Sequence, residues 1–263
     1  MAIHPLQIPP HPSCNIIQLH MRTLFISDLH LGHHSPKIVE GFFNFLQQQA
    51  ADANQLYILG DFFDAWIGDD DDDALGVKIK QQLRDYSRNH PIFFIHGNRD
   101  FLVGEKFAQD TGIQLLPESC TIDLDGRAAL IMHGDTLCTQ DVEYLKFRAM
   151  VRNSTWQQQV LALPLPQRRQ MAADLRNKSQ SMNAMKAEDI MDVTPAEVEK
   201  VLSHTGVNLL IHGHTHRPAH HQLTVNAVAA ERWVLGDWSD AAGWYLVAEN
   251  GGLDLVQFEL NSP

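Results

Sequence analysis

What this sequence of 263 residues lacks narrows it first. It holds only three cysteines, Cys14, Cys120 and Cys138, an odd number at no metal-binding spacing. That excludes a disulfide scaffold and a thiolate zinc cage, and it suits a reducing cytoplasm. No run of about 18 apolar residues occurs, so no spanning helix is expected. Positive charge is scarce: 20 Lys and Arg stand against 32 Asp and Glu, and the formal charge of −12 argues against a general nucleic-acid binder. Residues 1–20 are rich in proline and lack both a basic n-region and a continuous apolar stretch, so they do not read as a signal peptide. With Met21 directly ahead of the first apolar run, they read as a disordered extension or an over-long start. There is no internal repeat. The length suffices for one large α/β domain carrying an insertion.

What is present is a recurring pattern. Five short apolar runs each end in Asp, Asn or His: 23–30 ends on Asp28 and His30, 56–64 delivers Asp61 past Gly60, 92–100 delivers Asn98 past Gly97, 129–135 ends on His133, and 207–216 ends on His214 and His216. Runs of this length read as buried strands, and ligand sites in α/β sheets lie beyond the carboxyl ends of strands. The five tips are therefore expected to converge on one metal site. Carboxylate, imidazole and amide donors suit a divalent ion such as Mn, Fe, Zn or Co. One strand tip cannot surround two ions, but five can, with Asp61 as the natural bridge between metals about 4 Å apart. Any one segment alone would read as a core histidine or a Gly-Asp turn; their ordered recurrence is what points to a site.

Asp28-x-His30, Gly60-Asp61, Gly97-Asn98, His133 and Gly213-His214-Thr215-His216 resemble the ordered motif set of the calcineurin-like metallophosphoesterases. The resemblance implies a layered β-sandwich flanked by helices, with a dimetal centre. Asp28, His30, Asp61 and His216 would hold one ion, and Asp61, Asn98, His133 and His214 the other, with Mn²⁺ as the implied metal. His96 and His212 match no ligand position and are read as strand residues.

The intervening segments fill in the scaffold. Residues 37–49 carry Ile38, Val39, Phe42, Phe43, Phe45 and Leu46 in a helical period, a crossover between the first two strands. Five aspartates, 69–73, precede an expected helix over 74–89 and read as a cap for it. Strands are expected over 232–236, 243–248 and 253–258, the last two joined by an Asn250-Gly251 hairpin, with Trp238 and Trp244 in the core.

Two features bear on the substrate. Many metallophosphoesterases place His after the Gly-Asn pair, whereas this chain has Arg99. Arg is no proton donor near neutral pH but forks two hydrogen bonds to phosphate, which favours a leaving group needing little protonation, as in a diphosphate. A surface pairing of Arg99 with Asp100 is the plainer alternative. The second feature is the stretch 144–186, which holds Lys146, Arg148, Arg152, Arg168, Arg169, Arg176, Lys178 and Lys186 against Asp174 alone. Beside a metal site, such a block reads as a phosphate-holding lid rather than a solvated face. Pro164 and Pro166 divide it into at least two helices. Its apolar residues, among them Phe147, Trp156, Met171 and Leu175, either pack the insertion onto the core or line a groove for acyl chains. The expected organisation is a core over 21–140 and 196–263, interrupted by the insertion 141–195.

The segments 62–70, 96–102, 133–138 and 178–193 bring a closer likeness, to the UDP-2,3-diacylglucosamine pyrophosphohydrolase family of lipid A biosynthesis. That resemblance implies hydrolysis of a nucleotide-linked glycolipid by water attack at the α-phosphorus, releasing UMP and 2,3-diacylglucosamine 1-phosphate. Asp61, Asn98, Arg99 and His214 would be catalytic. Asn98, Arg99, Asp141, Ser179, Asn183, Lys186 and His214 would contact substrate, and Ser179, Asn183 and Lys186 share one helical face. The protein is expected on the cytoplasmic face of the inner membrane, peripherally bound, with no nucleic acid and no obligate protein partner. A soluble diester or nucleotide sugar is the alternative substrate. An inactive binding scaffold would need missing ligands, and every ligand position is filled.

Overall fold

The computed structural model describes residues 21–183 and 192–260, with backbone alone over 178–183. Two sheets face each other. The first has six strands in the order β11 (Gly252–Glu259), β10 (Ala242–Glu249), β1 (Thr23–Ile26), β2 (Gln55–Ile58), β3 (Ile92–Phe94) and β4 (Gln114–Leu115). The second has five, in the order β5 (Ser119–Leu124), β6 (Arg127–Met132), β7 (Leu209–His212), β9 (Val228–Val234) and β8 (Ala219–Val225).

The apolar runs explain this layering. Successive side chains of a strand point to opposite faces, so a run without alternation needs an apolar layer on both sides. Leu24 and Ile26 of β1, with Leu56 and Ile58 of β2, enter an outer core with helix α1 (Pro36–Gln47). Phe25, Tyr57 and Leu59 point the other way, into a core shared with Ile131, Leu209 and Ile211 of the second sheet. Leu130, Met132 and Leu210 face outward again, against Val198 and Leu202 of helix α7 (Pro195–Thr205). The order is helix, sheet, sheet, helix.

The connections follow the chain's local chemistry. Helix α1 buries Ile38, Val39, Phe42, Phe43, Phe45 and Leu46, the expected stripe, and carries the chain from β1 to its parallel neighbour β2. Helix α2 (Ala74–Ser87) is capped as expected, by the Asp73 carboxylate accepting from the amides of Leu75 at 3.1 Å and Gly76 at 3.4 Å. Asn250 and Gly251 both take positive φ, 54° and 76°, as a two-residue hairpin requires. The short edge strand β4, the strands β5 and β8, and helix α3 (Glu105–Thr111) were not foreshadowed by the apolar runs, because their burial alternates or is slight. Between the second sheet's first strands and α7 come α4 (Val142–Val151), α5 (Ser154–Leu161) and α6 (Leu165–Asn183), with the α5–α6 break at Pro164.

Candidate metal centre

Every strand tip named from the sequence ends at one seam between the sheets, and backbone hydrogen bonds lace the tips together. The amide of Asp28 donates to the Gly60 carbonyl at 3.1 Å, that of His30 to the Asp61 carbonyl at 3.0 Å, and that of Gly213 to the His133 carbonyl at 2.8 Å. The glycines of the motifs are required by this lacing: a Cβ on Gly97 would run into the amide and carboxylate of Asp61, and one on Gly213 into Ser27 and the Asp28 carboxylate. Five of the seven expected ligands adopt left-handed backbone, with φ of 57° at Asp28, 50° at His30, 50° at Asp61, 69° at His214 and 55° at His216. Non-glycine residues take this conformation at a cost, and functional sites are where it persists.

The donor atoms are arranged for cations. Asp28, His30 and His216 present donors within 4.8 Å of one another, and so do Asp28, Asp61 and His133. Asp28 thus stands in both groups, whereas the motif resemblance gives the shared place to Asp61. His133 Nδ1 lies 2.8 Å from the Leu59 carbonyl and donates to it, turning Nε2 toward the site, where Asn98 Oδ1 stands 3.0 Å away and Asp61 Oδ1 3.7 Å. That Asn98 oxygen is also 2.9 Å from His214 Nδ1, and His30 Nε2 is 3.3 Å from His216 Nε2. Each of these pairs is bridged by a ring N–H in the appropriate His tautomer, and the same nitrogen and oxygen atoms converge closely enough to serve as ligands once that proton is displaced. The Asp28 Oδ2 atom is satisfied by the Ser27 hydroxyl at 2.6 Å and the His214 amide at 2.9 Å. Its partner Oδ1 is buried without a hydrogen bond, the His216 ring at 3.4 Å being misdirected for one, and His30 Nδ1 is likewise unpartnered. A hard carboxylate oxygen left bare among imidazoles fits a divalent cation.

The electrostatics agree. Burial opposes ionisation of Asp28, yet the His216, His133 and His30 rings hold its carboxyl well below the usual range. Burial pushes His30 down to about 3 and His214 to about 4, leaving both as neutral donors. Burial, with Asp100 and Asp28 nearby, pushes Asp61 up to about 7 against the pull of His133. Despite burial, the Asp28 carboxylate raises His216 to about 9, so it carries a proton that a metal must displace.

The remaining expected residues are spread along one cavity. A volume of about 520 Å³ runs from His30, Asp61, Asn98 and His214 past Arg99 and Asp141 to the apolar side chains of the insertion. Arg99 does not pair with Asp100, whose carboxylate is buried and accepts from the amides of Phe62 and Gly97; its guanidinium instead faces Asp64 at 3.9 Å. Asp141 is the N-cap of α4, accepting from the Tyr144 amide at 3.1 Å. Ser179 and Asn183 lie on the backbone of α6, their side chains outside the described residues, as is Lys186 altogether. Trp238 is buried, donates to the Trp244 carbonyl at 3.0 Å and holds the Asp28 carbonyl with its amide at 3.1 Å, so it belongs to the scaffold.

The basic block behaves differently from its expectation. Arg148 binds Asp135 and Glu118, each at 2.7 Å, Arg168 binds Asp70 at 2.7 Å, Arg169 binds Asp71 at 2.6 Å and Arg176 binds Asp64 at 2.6 Å. Arg152 donates to the Gly97 carbonyl at 2.9 Å. Acidic loops of the core thus take up these charges, and they seat the insertion rather than stand free for phosphate. The sequence reading missed Asp135, buried behind His133 and His214 and held below the usual range against its own burial by the His133 and His214 rings and by Arg148 and Tyr144. Its signal was available in His133-Gly134-Asp135. The apolar residues pack and line at once: Val151 and Val160 are buried, and Trp156 and Met171 pack on the main core while also lining the cavity with Phe147 and Leu175.

Comparison with known proteins agrees with this geometry. Residues 21–218 match the calcineurin-like phosphoesterase family. A protein of Cellvibrio japonicus named UDP-2,3-diacylglucosamine hydrolase is 56% identical over 91% of this chain and 100% of its own. Proteins of the same name from Chromohalobacter salexigens and Pseudomonas aeruginosa are 51% and 48% identical, covering 88% and 91% of this chain and 94% and 100% of theirs. With strand tips, motif glycines and sequence relatives in accord, this chain belongs to the calcineurin-like phosphoesterases and, within them, to the UDP-2,3-diacylglucosamine hydrolase family.

Proposed function

We propose that this protein hydrolyses the diphosphate of UDP-2,3-diacylglucosamine to UMP and 2,3-diacylglucosamine 1-phosphate, a step of lipid A biosynthesis. The observation that carries this is the continuity of one cavity from the metal-ligand set to the apolar wall of α4–α6, which suits a substrate with a diphosphate at one end and acyl chains at the other. Two Mn²⁺ ions are the proposed cofactors: Asp28, His30, Asp61 and His216 would hold one, and Asp61, Asn98, His133 and His214 the other. Bound divalent ions lower the pKa of a ligated water and shield phosphate charge.

The chain's own groups do the rest. Leu59 fixes the His133 tautomer, and Ser27 with the His214 amide fixes Asp28, so the donors are oriented before substrate arrives. Arg99 offers forked donors to the diphosphate and supplies no proton; water attack at the α-phosphorus expels a sugar phosphate that needs none. Asn98 and His214 would contact phosphate as well as metal. Asp141, Ser179, Asn183 and Lys186 bind the remainder of the substrate, and Phe147, Trp156, Met171 and Leu175 receive the acyl chains. No described helix is long and apolar enough to cross a membrane. A substrate anchored by acyl chains supports peripheral binding at the cytoplasmic face of the inner membrane.

The test is hydrolysis of UDP-2,3-diacylglucosamine in detergent and ¹⁸O-labelled water. Cleavage with label in UMP is expected. Label in the sugar phosphate would move the attack to the β-phosphorus. Absence of cleavage, with soluble diesters still hydrolysed, would overturn the substrate.

A further inference from the structure

Asp64 has no place in the chemistry above, yet it sits in the cavity wall with its side chain only 12% exposed. Three nitrogen-bearing groups surround it. Its Oδ2 takes the Arg176 guanidinium at 2.6 Å and lies 3.9 Å from His34 Nδ1, while its Oδ1 faces the Arg99 guanidinium at 3.9 Å.

The Asp64–Arg99 pair is fixed on both sides. The Asp64 amide donates to the Leu31 carbonyl at 3.1 Å, one residue after Phe63 pairs with Leu31, so Asp64 is tied to the loop that carries Asp28 and His30. Arg99 has its main chain pinned by the same motif: its amide donates to Asp61 Oδ1 at 2.8 Å, and its carbonyl accepts from the Trp66 amide at 3.2 Å. What remains to be set is the direction of its long, rotamer-rich side chain. A carboxylate at 3.9 Å attracts the guanidinium but is too far to use up its forked donors, which stay available for phosphate. Near burial strengthens that attraction.

Arg176 adds the second half. It belongs to α6, and its Nε is buried without a partner. With Asp64 between them, two guanidiniums that would otherwise repel can stand over one cleft. The carboxylate that orients Arg99 therefore has its own charge compensated by the insertion.

We infer that Asp64 is a positioning residue: it aims Arg99 at the diphosphate and, through Arg176, makes that aim depend on the insertion being seated. The inference rests on the reading of Arg99 as a diphosphate contact. Asp64 need never touch substrate.

The experiment compares the Mn²⁺-loaded wild type with Asp64→Asn, Arg99→Ala and the double variant, using kcat and KM for UDP-2,3-diacylglucosamine, with metal content and thermal melting measured alongside. Misaiming a catalytic contact costs up to about a hundredfold, so Asp64→Asn is expected to lower kcat about tenfold to a hundredfold, with KM within about threefold and metal content unchanged. The double variant should be no slower than Arg99→Ala alone, because Asp64 acts only through Arg99. Two multiplying losses would overturn the inference, as would a kcat for Asp64→Asn equal to wild type or a loss of bound metal. If Arg99→Ala is silent, the reading of Arg99 fails and the inference falls with it; if Arg99→Ala is slow and Asp64→Asn is not, the inference alone fails. Should Asp64→Asn not fold, Asp64→Glu, which displaces the charge without removing it, is expected to give a smaller kcat loss that again vanishes in the Arg99→Ala background.

Discussion

The strand-tip loops and the helices of the insertion meet across one cavity but are held by opposite means. The loops grow from strands buried on both faces, are laced by backbone hydrogen bonds and keep five ligands in left-handed conformation. The insertion has little apolar anchoring: α4 and α5 each bury one valine, and the buried residue of α6 among those described is Arg168, with 3% of its side chain exposed. It is seated instead by arginines on acidic core loops. Apolar burial and backbone lacing hold the loops, whereas ion pairs and hydrogen bonds with few buried apolar residues hold the helices across from them.

The contrast can be broken at either side. The largest effect is expected in the loops, where Asp61→Ala should reduce turnover by about 10³-fold or more while the fold survives, read as kcat with circular dichroism as control. The same residue gives a sign to test without metal. Its carboxyl is pushed up to about 7, above its unfolded value, so the ionised form costs stability that grows as pH rises between the two values. Metal-free Asp61→Asn should therefore gain melting temperature over wild type, and gain more at pH 8 than at pH 5. On the insertion side, Arg168→Met strips donors from the Leu163 and Ile67 carbonyls and from Asp70, at a local cost of about 2–3 kcal/mol. It should slow turnover of the lipid substrate about tenfold, raise hydrogen exchange in α5 and α6, and leave bound metal unchanged. The smallest effect is expected at the cap of α2: Asp73→Ala removes it, with the His33 contact at 2.9 Å, at about 1 kcal/mol, a fall of a few degrees in Tm with kcat intact.

The same contrast decides what could be read from the sequence. Strands β1, β2, β3, β6 and β7 were legible because burial on both faces forces continuous apolar runs, and their tips stood out as charges that such runs do not otherwise carry. The glycines beside Asn98 and His214 were legible as motif letters, though only the structure gives their reason, the contact with Asp61 and Asp28. The left-handed backbone of the ligands was not legible, since Asp and His take it more often than most residues but still too seldom for the letter alone to announce it. Neither was the fate of the basic block. Sequence shows that 144–186 is positive and 69–73 negative, but pairing Arg168 with Asp70 and Arg169 with Asp71 spans 98 residues that only the fold closes. For the same reason Asp64 read as the end of a motif rather than as the meeting point of Arg99 and Arg176.

The central claim, a two-ion centre built from five strand tips, is tested most directly by titrating metal-stripped protein with Mn²⁺ while following heat of binding and UMP release. Two equivalents bound per chain, with turnover appearing only as the second site fills and both signals lost in Asp61→Ala, is the predicted result. Full turnover in the metal-stripped protein, or after a single equivalent, would contradict it.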